Sequence, residues 1–293
     1  MGLRNEIRGP VLVVTLDSPG TRNALDMATL KALGELMDSV AYREPLPPDP
    51  RLPGGRFDIG EGGGFRPHAV VLRATGPVFC AGADLKEMKQ LGEADFQANL
   101  DAALEMGKVF RAVRSCPAPV IARVQGPAYG GGVGLVAACD VVVAAPESRF
   151  MFSEARLGLV PGVISPLIVD RMGPAAARRC FLTAEPLSAA DALRLGLVDR
   201  LAEPGGLDAA VEQTVRAVLE CGPAALSLCK SLVDGVVSLG YDRSAEFAAR
   251  LIAEARTGRE GQAALKAFAA REKAPWVTTE AWSLPAEQTE EDQ

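Results

Sequence analysis

Two glycine-rich turns carry the backbone groups that could do chemistry in this chain. The first covers residues 79–84, FCAGAD, and the second covers residues 126–132, GPAYGGG. Each follows a β-branched apolar run, at 68–73 and 119–124, and leads into a segment with helical character. Strand-to-helix turns free backbone N–H groups, and two that converge on one oxygen atom can stabilise an oxyanion. The sequence therefore predicts a backbone oxyanion hole.

One carboxylate is placed to work with these turns. Glu154 lies in an apolar segment with its own glycine-rich turn, residues 152–162, FSEARLGLVPG. A carboxyl group in such surroundings has a raised pKa and can serve as a general acid or base. A buried glutamate can equally be an ion satisfied within the core, so its position relative to the two turns decides between these roles.

Two other sequence patterns would indicate different functions, but the support for each is weaker. Residues 132–137, GVGLVA, match the glycine fingerprint of dinucleotide-binding folds. The next apolar strand already begins at Asp140, which leaves too short a helix for a βαβ unit. A Ser-His-Asp triad would need His68, the only histidine, which starts an apolar strand, and no GxSxG elbow accompanies it.

Composition narrows the class of protein. The 293 residues are 48% hydrophobic and 23% charged, which is ordinary for a globular chain. A net charge of −6 disfavours a nucleic-acid partner. No apolar run reaches the ~18 residues of a membrane span, and the first residues lack a signal core, so we expect a cytoplasmic protein without a membrane partner. The 6 cysteines have no metal-binding spacing and are expected to be buried apolar residues.

The periodicity of apolar residues gives the organisation of the chain. It predicts strands at 12–17, 68–73, 120–125 and 140–145, helices at 26–40, 94–114 and 133–138, and helical structure over most of 206–270. A proline- and glycine-rich stretch at 44–66 is predicted to be a loop insertion. We expect a core at 1–205, a helical region at 206–280 and a flexible acidic tail at 281–293.

Six segments together resemble the crotonase (enoyl-CoA hydratase/isomerase) superfamily. They are residues 22–25 (RNAL), 79–88, 126–140, 150–162, 187–198 (LSAADALRLGLV) and 260–276. The closest motifs are those of 3-methylglutaconyl-CoA hydratase-like members, which share patterns similar to 130–136 and 163–166. The resemblance implies an α/β fold of repeated ββα units in a spiral core, with a C-terminal helical trimerisation region. It implies an acyl-CoA substrate, a homotrimer or hexamer, and neither a metal nor a resident cofactor.

The resemblance also assigns roles to residues. The oxyanion hole would be the N–H groups of Ala83 and Gly131, with Glu154 as the catalytic carboxylate. The CoA-binding residues would be Ala24, Ala81, Asp84, Leu85, Phe268 and Lys273. The substrate pocket would include Met88, Gly134 and Gly162.

The chain departs from the family pattern at one catalytic position. Hydratases of the superfamily commonly carry two glutamates, of which the second matches Glu154 and the first would fall on Gly134. We therefore expect a 2-enoyl-CoA hydratase that works with a single glutamate. The alternatives are a Δ3,Δ2-enoyl-CoA isomerase, a dehydratase or decarboxylase acting on a carrier-protein-bound acyl group, and a non-catalytic acyl-CoA binder.

Overall fold

The computed structural model describes residues 2–40, 67–277 and 282–285. The predicted loop at 44–66 lies outside the described residues. The strands are β1 (Leu3–Arg8), β2 (Val11–Leu16), β3 (Ala69–Ala74), β4 (Val120–Val124), β5 (Ala128–Tyr129), β6 (Val141–Ala144), β7 (Arg149–Met151), β8 (Leu187–Ser188) and β9 (Arg200–Leu201). The α-helices are α1 (Met27–Val40), α2 (Leu85–Glu93), α3 (Phe96–Ser115), α4 (Gly131–Ala138), α5 (Ser165–Thr183), α6 (Ala189–Arg194), α7 (Leu207–Leu219), α8 (Pro223–Leu239), α9 (Tyr241–Thr257) and α10 (Arg259–Ala270). Two 3-10 helices cover Pro19–Thr21 and Glu154–Leu157.

The main sheet has six strands in the order β1-β2-β3-β4-β6-β9. Only the β1–β2 hairpin is antiparallel, and every other pair is parallel. A second, smaller sheet has the order β5-β7-β8. An isolated parallel bridge between Cys80 and Ala128 connects the chain after β3 to this smaller sheet.

Both faces of the main sheet are buried, which explains why its central strands are apolar at nearly every position. Leu12, Val14 and Leu72 face a core that includes α1, α3, α4 and α5. The alternate residues, such as Val13 and Val71, face a second core formed with α7. This alternation follows from the two-residue period of a strand.

The chain repeats a unit of three elements. Each unit consists of a strand of the main sheet, a short strand of the small sheet and a helix. The clearest examples are β4–β5–α4 and β6–β7–α5. The predicted ββα architecture, with helices at the C-terminal end, is confirmed. Each repeat takes the chain from the main sheet through a tight turn at the small sheet, so successive turns gather on one side of the molecule.

Three local predictions needed correction. The predicted helix at 94–114 begins at Phe96, after Asp95 accepts a hydrogen bond from Ala98 N at 2.8 Å, and a separate helix α2 precedes it. Leu100 and Leu104, which the apolar periodicity of this helix predicts to be buried, are exposed. Of the cysteines, Cys221 and Cys229 are exposed, because they lie in the C-terminal helical region, where α8 buries only one face.

Residues 282–285 contact the core, although they fall within the segment predicted as a flexible tail. Trp282 is buried and donates from Nε1 to the Arg8 carbonyl at 3.0 Å. The buried Arg73 donates to the Pro285 carbonyl at 2.6 Å, and Leu284 N donates to the Glu212 carboxylate at 2.9 Å. Three hydrogen bonds and an indole ring therefore attach this segment to β1, β3 and α7.

No single helix within 2–40, 67–277 and 282–285 has both the length and the apolar composition of a membrane span. Helices α7 and α8 reach these criteria only when taken together, and the pair is bent by 99°.

Candidate active site

The first glycine turn directs the N–H group of Ala83 away from the adjacent backbone segment, which contains Leu25. Leu25 N donates to the Gly82 carbonyl at 2.7 Å, and Asp84 N donates to the Leu25 carbonyl at 3.0 Å. Leu25 is therefore hydrogen-bonded to both neighbours of Ala83 and not to Ala83 itself, which is the pattern of a parallel bridge. The N–H group of Ala83 itself points to the opposite side and has no acceptor among the described residues.

The second glycine turn leaves a similar donor at the start of α4. Gly130 N donates to the Met151 carbonyl at 3.0 Å, and the Gly130 carbonyl accepts from Val133 N and Gly134 N. Gly131, the first residue of α4, has no acceptor for its N–H group within the described part of the chain. Unpaired N–H groups of this kind are inherent to a helix N-terminus, where the helix dipole also favours negative charge.

The two turns are in direct contact. A Cβ atom built on Gly82 would lie 3.0 Å from the Tyr129 carbonyl oxygen and 3.9 Å from Gly131 N. Gly82 also has a φ of +92°, which favours glycine. A side chain at this position would push the turns apart, so the absence of Cβ lets the two free N–H donors lie in adjacent segments of backbone. The geometry agrees with the predicted oxyanion hole.

The structure places Glu154 beside the second turn. The residue follows β7, which pairs with β5, and it begins the 3-10 helix Glu154–Leu157. A Cβ atom built on Gly130 would lie 3.3 Å from Oε1 of Glu154 and 3.7 Å from its Cδ. The carboxyl group therefore lies against the residue that precedes Gly131, and the predicted acid/base and the predicted oxyanion donor share one site.

Burial determines the electrostatics of this carboxyl group. Desolvation raises the pKa of Glu154 above its ordinary value, and a hydrogen bond from its own backbone N–H opposes this in part. Oε2 is buried and has no hydrogen-bond partner among the residues described. A carboxylate that lacks a partner and has a raised pKa is suited to receive a proton from a bound molecule and return it.

Apolar side chains surround the rest of the site. A Cβ atom on Gly131 would lie 3.5 Å from Cδ1 of Leu25 and 3.9 Å from Cζ of Phe110. A Cβ atom on Gly134 would lie only 2.2 Å from Cγ2 of Ile164 and 3.3 Å from Cε1 of Phe110. Gly134, predicted to line the substrate pocket, is therefore covered by Ile164 and Phe110.

Sequence reasoning did not find this wall. Phe110 lies in the helix predicted at 94–114, and Ile164 lies in the 163–166 motif, but neither was assigned to the site. The signal that could have prompted a search for a filling residue is Gly134 itself, a glycine in an apolar helical segment at the position where the family resemblance predicts a glutamate.

Four of the predicted CoA-binding residues lie together. Ala81 N donates to the Arg22 carbonyl at 3.0 Å, which sets Ala24 and Ala81 on neighbouring strands of backbone. Asp84 accepts hydrogen bonds from Lys86 N at 2.8 Å and Glu87 N at 3.1 Å, so its carboxylate caps α2. Leu85 follows it and is 79% exposed, which leaves an apolar surface open beside the first turn.

The remaining predicted site residues are more dispersed. Phe268 is 83% exposed on α10, which packs against α8 and α9, and Lys273 is exposed beyond it. Within the described residues, the main contacts of α10 are with α8 and α9 and not with the elements of the glycine turns. Met88 is half-buried on α2, where its N–H donates to the Asp84 carbonyl at 2.9 Å. Gly162 is exposed and lines a groove of about 1530 Å³ between α3 and residues 159–167, which Phe110 also lines.

Comparison with known proteins matches the chain to one family over most of its length. A family model described as enoyl-CoA hydratase/isomerase matches residues 66–279. A putative enoyl-CoA hydratase of Thermus thermophilus is 32% identical over 261 residues, which cover 89% of this chain and 95% of that protein. A short-chain-enoyl-CoA hydratase of Clostridium acetobutylicum is 28% identical, with 92% of this chain and 94% of that protein covered.

A solved enoyl-CoA hydratase structure from Shewanella pealeana superposes with a TM-score of 0.83 at 30% identity. The match covers 94% of this chain and 96% of that one. The predicted superfamily is confirmed, whereas the closer likeness to 3-methylglutaconyl-CoA hydratases stays a prediction. On sequence, fold and the geometry of its glycine turns, the chain belongs to the enoyl-CoA hydratase/isomerase family of the crotonase superfamily.

Proposed function

We propose that the protein hydrates the double bond of a 2-enoyl-CoA thioester with one catalytic carboxylate. The observation that carries this proposal is the position of Glu154 beside Gly130, next to the free N–H donors of Ala83 and Gly131. The thioester oxygen would accept both N–H groups. An oxyanion donor of this kind contributes about 3 kcal/mol to transition-state stabilisation.

The proposed reaction uses Glu154 twice. A water oxygen bonds to the β-carbon while its proton passes to the Glu154 carboxylate, and the π electrons move onto the thioester oxygen as an enolate. The protonated Glu154 then delivers the proton to the α-carbon, which regenerates the thioester carbonyl. The raised pKa of Glu154 favours both steps, because proton transfer is most efficient when donor and acceptor pKa values approach the working pH.

The CoA moiety would bind beside the first turn. Ala24, Ala81 and the open side of Leu85 offer backbone and apolar surface for the adenine, with Asp84 fixing the start of α2. We propose that Phe268 and Lys273 contact the nucleotide end in a homotrimer or hexamer, where a second copy can bring α10 closer. The reaction requires no cofactor other than the CoA of the substrate.

Isomerisation is the second candidate, and the wall at Gly134 favours it. Glu154 would remove a proton from the α-carbon of a 3-enoyl-CoA and return it to the γ-carbon, so the double bond moves into conjugation without water. Ile164 and Phe110 present no polar atom from which a water could be held on their side of the site.

The experiment is a mass-spectrometric assay in H₂¹⁸O with 2-enoyl-CoA, 3-enoyl-CoA and 3-methylglutaconyl-CoA substrates. Gain of labelled water identifies hydration and its acyl group, a moved double bond without label identifies isomerisation, and loss of CO₂ identifies a decarboxylase. Glu154→Gln is expected to lower turnover about 10²-fold or more while CoA affinity stays nearly constant. An unimpaired Glu154→Gln enzyme would remove Glu154 from the mechanism.

A further inference from the structure

Glu154 lies against Gly130, the N-cap of α4, and Ile164 lies against Gly134 in the first turn of that helix. Gly130 and Gly134 are four residues apart, and Gly134 N donates to the Gly130 carbonyl at 3.2 Å, so the two positions are stacked one helical turn apart. The space that a Gly130 side chain would take holds the Glu154 carboxylate. The space that a Gly134 side chain would take holds Cβ and Cγ2 of Ile164.

Ile164 is firmly placed in this position. It directly precedes α5, is 3% exposed, and its carbonyl accepts from Ile168 N at 3.1 Å. Phe110, which is 1% exposed, closes the other side, since its ring lies 3.3 Å from the Cβ atom built on Gly134. The carboxyl group therefore has an apolar neighbour one turn further along α4.

We propose that Ile164 is a specificity-determining residue that sets the ratio of water addition to double-bond migration. The inference rests on the proposed function, because it assumes that Glu154 handles the protons of an enoyl thioester. It goes further by assigning the balance between the two reactions to a side chain that is neither acid nor base.

The physical argument concerns how many partners a water molecule can find. Ordered waters in proteins typically make about three hydrogen bonds. Oε2 of Glu154 can provide one, and the methyl groups of Ile164 and the ring of Phe110 provide none. Proton transfer between two carbons of the substrate needs only the carboxylate, so this wall disfavours water addition more than it disfavours double-bond migration.

The test compares Ile164→Thr with Ile164→Val. Threonine has a hydroxyl group where valine has a methyl group, and the two side chains have nearly the same shape. Both variants lose the same volume relative to isoleucine, so comparing them isolates the effect of hydrogen bonding. Both variants and the wild type are given 2-enoyl-CoA and 3-enoyl-CoA in H₂¹⁸O, and both products are measured in one sample. We expect the ratio of label incorporation to double-bond migration to be about 10-fold higher in Ile164→Thr than in Ile164→Val. Equal ratios within twofold would overturn the inference.

A binding measurement keeps this inference distinct from the proposed function. If the wild type transforms neither substrate, the proposed function fails, and the role of Ile164 is tested by calorimetry with 3-hydroxybutanoyl-CoA and butanoyl-CoA. Relative to Ile164→Val, Ile164→Thr should strengthen binding of the hydroxylated ligand about 5-fold over the unhydroxylated one. The same preference in both variants would overturn the assignment without any turnover.

Discussion

The Glu154 carboxyl group provides the proposed acid or base, but its ionised form lowers the stability of the folded state. Its pKa is raised by burial, so the folded state holds this proton more tightly than the unfolded chain does. The stability linked to Glu154 is therefore fully present below its unfolded pKa and is lost as pH rises through the raised folded pKa. Wherever the group is ionised, the partly buried carboxylate lowers the free energy of unfolding.

This linkage predicts that Glu154→Gln is more stable than the wild type at neutral pH. Glutamine keeps the shape and remains uncharged, so the desolvation cost of the ion disappears. We expect Tm to rise by about 1–2 °C near pH 7, the shift that ~1 kcal/mol produces in a chain of this size. Near pH 4, where the wild-type group is also protonated, the two Tm values should converge. A stabilisation that is the same at both pH values would contradict the assigned cause.

Gly134 provides a second prediction at a single residue. Gly134→Ala places a methyl group 2.2 Å from Cγ2 of Ile164, so we expect the free energy of unfolding to fall by about 1–3 kcal/mol, the usual cost of overpacking. The cost of Gly134→Ala should be smaller when it is measured in an Ile164→Ala background than in the wild type, because the clashing side chain is then absent. Chemical denaturation measures both.

Gly107 offers the matched control, because it is also a helical glycine, on α3, but its Cβ atom would meet only Cγ1 of Val163 at 3.9 Å. Gly107→Ala is expected to stabilise the protein by about 0.5–1 kcal/mol through the helix preference for alanine. If the two substitutions change the free energy of unfolding equally, the Ile164 side chain must move aside without an energetic cost.

At this scale the sequence indicated which candidate groups lie close together, but not which side chains surround them. Glu154 and the turns at Ala83 and Gly131 could be predicted because glycine patterns and an isolated carboxylate are local features. The closure of Gly134 by Ile164 depends on how α5 approaches α4, which no local pattern in the chain specifies.

Among the elements, those with long apolar runs were predictable, whereas the strands β1 and β5 were not. β2, β3 and β4 are buried on both faces and were recognised within one or two residues of their bounds. β1, with the sequence LRNEIR, is a polar edge strand, and β5 has two residues, so neither carries enough periodicity to be recognised. The pairing of the short strands β5 and β7 nevertheless places Gly130 and Glu154 side by side.

A tertiary cap between two C-terminal helices gives the prediction at this scale. The Glu260 carboxylate, on α10, accepts from Ala224 N and Ala225 N at 2.9 Å each, at the start of α8. The α8 N-cap residue, Gly222, has no side chain to do this. Glu260→Ala should lower the free energy of unfolding by about 1–2 kcal/mol and increase amide exchange in the first turn of α8.

The control for this cap is Glu246→Ala on α9. Glu246 pairs with Arg250 at 2.7 Å on an exposed helix face, where such pairs contribute about 0.5 kcal/mol or less. Similar effects of the two substitutions, or unchanged exchange at α8 in Glu260→Ala, would show that Glu260 does not stabilise that helix end.

At the scale of the whole molecule, both faces of the main sheet are buried. This burial accounts for the fold, which composition alone could only suggest. α7 and Trp282 cover one face, and α1, α3 and α4 cover the other. The attachment of residues 282–285 could not be predicted, because one tryptophan in a polar stretch gives no periodic pattern. Its partners, on β1 and β3, are more than two hundred residues away in sequence.

One helix face remains uncovered in the single chain. Val233, Val236 and Val237 follow the spacing of one face of α8 and are exposed at 58%, 41% and 68%. Ile252 on α9 is exposed at 54%. Adjacent exposed apolar residues of this kind mark association surfaces, and they lie in the region from which trimerisation was predicted.

We therefore expect the protein to be a homotrimer or hexamer that the double substitution Val233→Glu/Val237→Glu weakens. Two carboxylates on an apolar contact surface would have to be desolvated on assembly, which costs several kcal/mol without partners. Light scattering after size-exclusion chromatography at micromolar concentration should show three or six copies for the wild type and smaller species for the variant. Circular dichroism checks that both keep the same helix content. If the variant keeps the wild-type mass, α8 lies outside the interface, and a monomeric wild type would leave Phe268 and Lys273 without the second copy proposed to bring them to the substrate.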